Sequence, residues 1–285
     1  MKIGTVIATS LILVGSVAAQ VSPEHDALIA NEVKIPTYEV ISIRQNKSDT
    51  WMQEGSTPDG FKAKAITLQQ LLEIAYTGSP FSLSASQIEG EPTWFRSEKF
   101  DVDARVDDSE IPALKKADDG DSFVAFVQAA AQGTPSIRMR MLQELLAERF
   151  LLKAHYVTKE LPVYDLVVAK GGSKLKVTAE TDPKNSNLGT GDGDFDGKNI
   201  PSSLFPILFT FAREVGRPVI DQTGLKGSYD FKLKWTPEGH GGELPADAPP
   251  GLFTALQEEL GLKLEPSKGP VRVLVIDHVE RPTEN

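Results

Sequence analysis

One local pattern occurs four times along this chain, and that recurrence limits the fold more than any single motif does. An apolar stretch with helical spacing leads into a short extended stretch, a turn, and a longer strand in which apolar and polar residues alternate. The first copy is TLQQLLEIAY (67–76) followed by QIEGEPTWFRSEKFDVDARV (87–106), where Phe100, Val102 and Ala104 alternate with Asp101, Asp103 and Arg105. The second is RMLQELLAERF (140–150), LLKAHYV (151–157), a turn at 159–162, and VYDLVVAK (163–170). The third is SLFPILFTFAREVG (203–216), PVID (218–221), the turn QTGLKG (222–227), and SYDFKLKW (228–235). The fourth is LFTALQEELG (252–261), LKLEP (262–266), the turn SKGP (267–270), and VRVLVIDHV (271–279).

The copies pair up. The approach to the first helix, GFKAKAITLQQLLEIAY (60–76), resembles the approach to the third, DFDGKNIPSSLFPILFTF (194–211). The second and fourth share Leu-Gln-Glu in the helix, at Leu142-Gln143-Glu144 and Leu256-Gln257-Glu258, and a strand opened by Pro162-Val163 or Pro270-Val271. A duplication is expected, with residues 60–170 recurring as 193–280. Each αββ unit leaves one apolar helix face and one apolar strand face to be covered by another unit. The expected fold is therefore α+β: duplicated αββ units with helices packed on largely antiparallel sheets. An N-terminal half over 36–170, opened by a strand at 38–43, and a C-terminal half over 199–282 flank a Gly/Asp-rich linker or long hairpin loop at 171–198. Residues 107–135 read as an insertion with a short helix at 122–132.

The N-terminus, MKIGTVIATSLILVGSVAAQ, has one Lys, an apolar run over 3–14 and small residues ending at Ala19. This is the layout of a secretory signal peptide over 1–19, and the run is shorter than the roughly 20 residues that span a bilayer. A periplasmic or secreted location follows as an expectation, with no transmembrane segment after signal cleavage. The chain has no Cys, which removes disulfides, thiolate metal sites and cysteine-linked lipids. Its formal charge of −10 disfavours nucleic acid and anionic membrane surfaces as partners.

Several short motifs resemble active sites without completing one. Asp221-Gln222-Thr223-Gly224 is one residue too long for the Asp-Thr-Gly of aspartic proteases and has no second copy to share a proton. Asp221 and Thr223 are expected to bond nearby amides, with Gly224 and Gly227 allowing tight turns. Tyr229, Phe231 and Leu233 should then face the core. Asp192, Asp194 and Asp196, followed by Gly197, match the start of an EF-hand loop and are the candidate metal ligands. The twelfth position is Ser203 instead of the bidentate Glu, so a solvated acidic turn is the reading. Ser173-Lys174-Leu175-Lys176 is an S-x-x-K that follows Gly171-Gly172 rather than opening a helix and has no K-T-G downstream. His25, His155, His240 and His278 form no close-spaced ligand pair, and Asp277 and His278 point to opposite faces of one strand. No catalytic residue and no cofactor site is assigned.

Together, Gln87 to Trp94 (QIEGEPTW), the helix 141–150, PVYDLVVAKGG (162–172), GRPVIDQTGLKGSYDF (216–231) and IDHVERPTEN (276–285) resemble a known family. It is the soil-associated exported bacterial protein family of unknown function, found in many paralogous copies per genome. Trp94, Asp221, Thr223, Gly224, Gly227 and Tyr229 fall within these signature stretches. The resemblance covers the chain from about Tyr38 onward and implies an exported protein. Related domains are fused to BlaR-type membrane metallopeptidases; this chain shows no peptidase or membrane region, which argues against signalling in cis. The αββ units are also loosely similar to the short N-terminal domains of secretins and TonB-dependent receptors, a fold-level likeness.

The function expected from these readings is an exported, non-catalytic binding or interaction module of the bacterial envelope, whose partner is an envelope protein or a small ligand. An exposed sheet edge is the expected contact surface for a protein. The alternative is a hydrolase acting on cell-wall or carbohydrate material through carboxylates assembled by the fold. That alternative requires two carboxylates facing each other across a cleft at about 5 to 9.5 Å.

Overall fold

Three four-stranded sheets and a small set of helices build the described part of the chain, an α+β architecture with mostly antiparallel pairing. The computed structural model describes residues 35–78, 83–118, 134–182, 185–191, 193–210, 212, 214–238 and 248–283. The stretch 1–19 read as a signal peptide, the helix expected at 122–132, Asp192, His25 and His240 lie outside these residues.

The first sheet has the order β1(Tyr38–Asn46), β5(Lys99–Val106), β3(Gly60–Thr67), β2(Gln53–Thr57), every neighbour antiparallel. Strand β5 shows why it forms: Phe100, Val102, Ala104 and Val106 are buried, whereas the residues between them reach solvent. Helix α1(Leu68–Thr77) follows β3 directly. Thr67 caps it in a reciprocal capping box with Gln70, and Gly78 ends it at φ 83°, in the left-handed region. Helix α2(Ile111–Asp118) lies in the insertion, and α3(Ile137–Arg149) is capped by the Ser136 hydroxyl. Leu71 and Leu72 of α1 and Leu142, Leu145 and Leu146 of α3 form one core with Phe61, Phe100, Phe150 and Trp94.

The third sheet has the order β7(Lys176–Val177), β11(Ser228–Lys234), β9(Asp194–Pro201), β8(Asn187–Gly191). Its core joins Phe195, Tyr229, Phe231 and Leu233 to Phe205, Leu208 and Phe209 of α4(Phe205–Thr210). It also takes in Leu252 and Ala255 of α5(Leu252–Ala255), and Leu256 and Leu260 of the π turn that continues it. The 171–198 segment thus contributes strands β7 and β8 and the start of β9, with β8 and β9 pairing as a hairpin. Composition pointed to a linker or long hairpin loop because the stretch is rich in Gly and Asp, and Leu175, Leu188 and Phe195 give it a side that packs on the core.

The central sheet, β10(Val219–Asp221), β6(Lys153–Val168), β12(Leu262–His278), β4(Ile88–Glu89), corrects the sequence reading of the second and fourth copies. The expected turns at 159–162 and 267–270 do not exist. Each copy contributes one continuous strand, and β6 and β12 pair antiparallel through both supposed turns. Proline is tolerated there because of where its nitrogen points. The Tyr164 N–H donates away from β12, to the Pro218 carbonyl at 2.9 Å. Pro162, two residues earlier, presents its N–H-less nitrogen to the same side, where β10 no longer runs.

This sheet looks the same from either end. The spacing from Pro162 to Pro270 equals that from Leu161 to Gly269, and Leu161 and Gly269 are register partners. Strand β10 runs parallel to β6, and β4 runs parallel to β12. The outer sheets match in detail as well. In β3 the register slips between Ala63 and Ile66, opposite Val102 and Phe100; in β9 it slips between Gly197 and Ile200, opposite Phe231 and Tyr229. At the same place in each slip, Ala65 and Asn199 have φ of 52° and 55°. The Ala65 N–H donates to the Asp101 carboxylate at 3.0 Å, and the Asn199 N–H to the Asp230 carboxylate at 2.9 Å. A residue forced out of the ladder thus finds its acceptor on the neighbouring strand in both halves.

Candidate functional site

The residues singled out by the sequence are held by local structure. The Asp221 carboxylate accepts from the Thr223 N–H at 2.8 Å and the Thr223 hydroxyl at 2.7 Å. The Thr223 oxygen in turn accepts from the Leu225 N–H at 3.1 Å. Gly224 and Gly227, at φ 68° and 85°, carry the turn, and the Tyr229 hydroxyl closes it on the Lys226 carbonyl at 3.0 Å. Trp94 is buried edge-on against Phe100, with the Arg281 guanidinium 5.0 Å from its ring centre. Arg281 also forks onto Glu98 and holds that carboxyl below its usual range, so the C-terminal tail is pinned on the tryptophan.

Asp194 and Asp196 are the described acidic residues of the EF-hand match. Asp194 and Asp196 lie on strand β9 instead of a calcium loop, and Asp196 pairs with Lys232 at 2.7 Å. Among the described residues no group of three or more His, Asp or Glu side chains could hold a metal ion. Ser173 accepts from the Leu175 N–H at 3.2 Å in a turn, and the Lys176 backbone pairs in β7. Asp277 and His278 take separate partners, His155 at 2.7 Å and Glu280 at 2.9 Å. Other carboxylates are tied into cross-strand and local ion pairs, among them Asp103 with Lys62 and Arg105, and Glu91 with Arg96.

What sequence patterning missed is a cleft of about 220 Å³ to which both halves contribute. The last turn of α1 brings Tyr76 and Thr77, and the stretch leading into β4 brings Leu83 and Gln87. Facing them, α4 brings Pro206, Ile207 and Thr210, and the entry to β10 brings Pro218 and Val219. Tyr156 of β6 and Arg272 of β12 complete the lining. These walls come from matching places in the two halves, the ends of α1 and α4 and the entries to β4 and β10, but carry different side chains.

The polar groups of the cleft are specific. Tyr76 and Tyr156 meet edge to face, 6.2 Å between ring centres, and the Arg272 guanidinium stacks 4.0 Å above the Tyr156 ring centre. Among the described residues Arg272 makes no ion pair, and neither tyrosine hydroxyl has a hydrogen-bond partner. Burial pushes both phenols above their usual range; for Tyr156 the nearby Arg272 opposes this in part. Both therefore stay neutral donors. The Gln87 side-chain oxygen accepts from the Ser84 N–H and hydroxyl at 3.1 and 3.2 Å, leaving its NH₂ free among the described residues. Thr210 gives its hydroxyl proton to the Pro206 carbonyl at 2.8 Å, and Thr77 gives its own to the Glu73 carbonyl at 2.6 Å. Among the described residues no Asp, Glu, His, Lys or Ser lines the cleft. A second depression, of about 290 Å³, runs along the β2–β3 hairpin, lined from Gln53 to Lys64 by residues of that hairpin alone.

No described helix is long and apolar enough to cross a membrane. No curated protein and no solved structure matches the chain. One family model, described as protein of unknown function (DUF3738), matches residues 69–279, a span that begins after β3 and takes in the second core, the central sheet and every lining residue of the cleft. The chain belongs to the DUF3738 family of proteins of unknown function.

Proposed function

We propose that this protein is an exported, non-catalytic binding module of the bacterial envelope, and that the cleft between its halves takes a small ligand. The observation that carries the reading is the composition of the cleft: apolar walls and unpartnered hydrogen-bond donors, with no carboxylate, imidazole or serine nucleophile among the described lining residues. Ligand sites favour such mostly apolar concavities with a few converging polar groups, often where two structural units meet. A hydrolase would need an acid and a base facing the reacting bond. The matched register slips and left-handed residues support an origin by duplication of one αββ unit. In that history the cleft is the seam between copies, where their side chains have diverged. Export rests on the charged, apolar and small-residue order of 1–19.

Equilibrium dialysis against the small-molecule fraction of an envelope extract tests this reading. Retention of an unaltered compound by the wild-type chain, lost on Ile207→Trp, is the expected result. Conversion of the compound to a product would restore the hydrolase, and equal retention by both chains would remove the cleft from the account.

A second reading has its own observation. Trp51 is 91% exposed beside β2, which is an edge strand of its sheet. An extended segment of an envelope protein that added a strand to β2 would cover this indole. Crosslinking from position 51 tests it: adducts lost on Ser56→Pro support strand addition, and adducts unaffected by that change exclude it.

A further inference from the structure

We infer that the ligand of the cleft is a small organic monocarboxylate: one carboxylate held by Arg272 and a compact apolar body held between α1 and α4. The inference rests on the cleft being the binding site and adds the chemical class. Among the described residues, the polar groups left unpartnered there can all donate: the Arg272 guanidinium and the Gln87 NH₂, which only donate, and the hydroxyls of Tyr76 and Tyr156. The two threonine hydroxyl protons are already committed to helix carbonyls. Such a set is satisfied by an acceptor-rich group, and an anion satisfies it most strongly.

The charge pattern agrees. The chain carries 40 acidic and 30 basic residues, yet among the described residues no acidic side chain lines this cleft and a single cation does. The Arg272 guanidinium carbon lies 4.0 Å from the Tyr156 ring centre, and an arginine held over a ring can still fork onto a carboxylate through its N–H groups. A phosphate dianion fits less well, because no described lysine lines the cleft and the surrounding protein is acidic. Leu83, Pro206, Ile207, Pro218 and Val219 form the remaining wall, which calls for an apolar body. At about 220 Å³ the space lies below the roughly 300–1,000 Å³ of pockets for drug-sized ligands, so that body is small.

The test is a methyl-resolved NMR titration of the purified chain with phenylacetate and isovalerate, each beside its primary amide, and with Arg272→Gln in parallel. The expected result is saturable shifts of the Ile207, Leu83 and Val219 methyls by the acids, at least tenfold weaker binding of the amides, and loss of that preference in Arg272→Gln. Arg272 is exposed and makes no ion pair among the described residues, so the variant should keep the wild-type spectrum elsewhere. Amides that bind as well as acids would overturn the carboxylate class while leaving the cleft as a site for neutral ligands. If neither set shifts these methyls but the envelope fraction does, another ligand class occupies the same site and the monocarboxylate is overturned. If nothing shifts them, this inference and the proposed function both fall.

Discussion

Gly197 and Phe231 form a register pair in the C-terminal half where the N-terminal half has Ala63 and Val102, so the two cores reach similar filling by exchanging volume across strands. Replacing Gly197 by Ala tests this directly. Gly197 is buried with φ outside the left-handed region, so an Ala there would ordinarily gain about 0.5–1 kcal/mol from reduced chain entropy. The new Cβ, however, would lie 2.5 Å from Phe231 Cε1, 2.8 Å from its Cζ and 2.9 Å from Ile200 Cγ1. The ring cannot retreat freely, because it packs at 89° against Phe205 with 5.7 Å between centres. Overpacking of this kind costs about 1–3 kcal/mol, giving a net loss of about 0–2.5 kcal/mol. Phe231→Val alone should cost about 2–4 kcal/mol through the cavity it leaves. The double variant reproduces the arrangement of the first half, and the second change should relieve the first by about 1 kcal/mol or more. Urea unfolding of the four proteins, followed by tryptophan fluorescence, measures this coupling. Additive losses would refute the volume exchange.

Three further outcomes follow from the same structure. Asp101→Ala should cost about 1–3 kcal/mol by stranding the N–H of left-handed Ala65, whereas Asp101→Asn, which keeps an acceptor, should recover most of it in the same unfolding assay. Trp94→Ala should cost about 3–5 kcal/mol, while Arg281→Ala, which removes an exposed stack and a surface pair, should cost far less. Stability should also fall at both ends of the pH scale. Glu98 and Asp230 are held below their ordinary 4.5 and 3.8, by Arg281 and by the Asn199 N–H respectively. Their contribution is present above those ordinary values and disappears as pH falls through the lower folded ones. Tyr76 and Tyr156 are raised above 10.0, so their contribution is complete below pH 10 and is lost as pH climbs toward the folded values. Melting temperatures across pH 2–12 check both limbs, and an acid limb shallower than the wild type's in Glu98→Gln with Asp230→Asn would match the assignment, since Asp59, Asp107 and Glu180 are lowered too.

The sequence disclosed elements wherever local periodicity and burial agree. Phe100, Val102 and Ala104 alternate as a strand must, and Leu142, Leu145 and Leu146 recur as a buried helix face must. It misled where tertiary pairing overrides a local signal. Lys159 to Pro162 and Ser267 to Pro270 have the composition of turns, yet both stretches stay extended because each is the other's partner in the ladder. No local rule contains that information. The 171–198 stretch was legible only as a linker or long hairpin loop, because the apolar side of its strands is completed only by helices far along the chain. The cleft was invisible for a third reason. Tyr76, Gln87, Tyr156, Ile207 and Arg272 share no motif or spacing and meet only through the packing of the two halves. A lone Arg272 in an alternating strand resembles any solvent-facing cation until Tyr156 is found beneath it.

The central claim, that the seam between the halves is a ligand site, is tested most directly by where a ligand from the envelope perturbs the protein. Methyl NMR spectra recorded with and without the small-molecule fraction of an envelope extract should show shifts confined to Leu83, Thr77, Ile207, Thr210 and Val219, which line the cleft. The methyls of Leu145 and Leu252, deep in the two cores, should not move. Shifts clustered instead along β2 and beside Trp51, or spread evenly over both cores, would contradict the account.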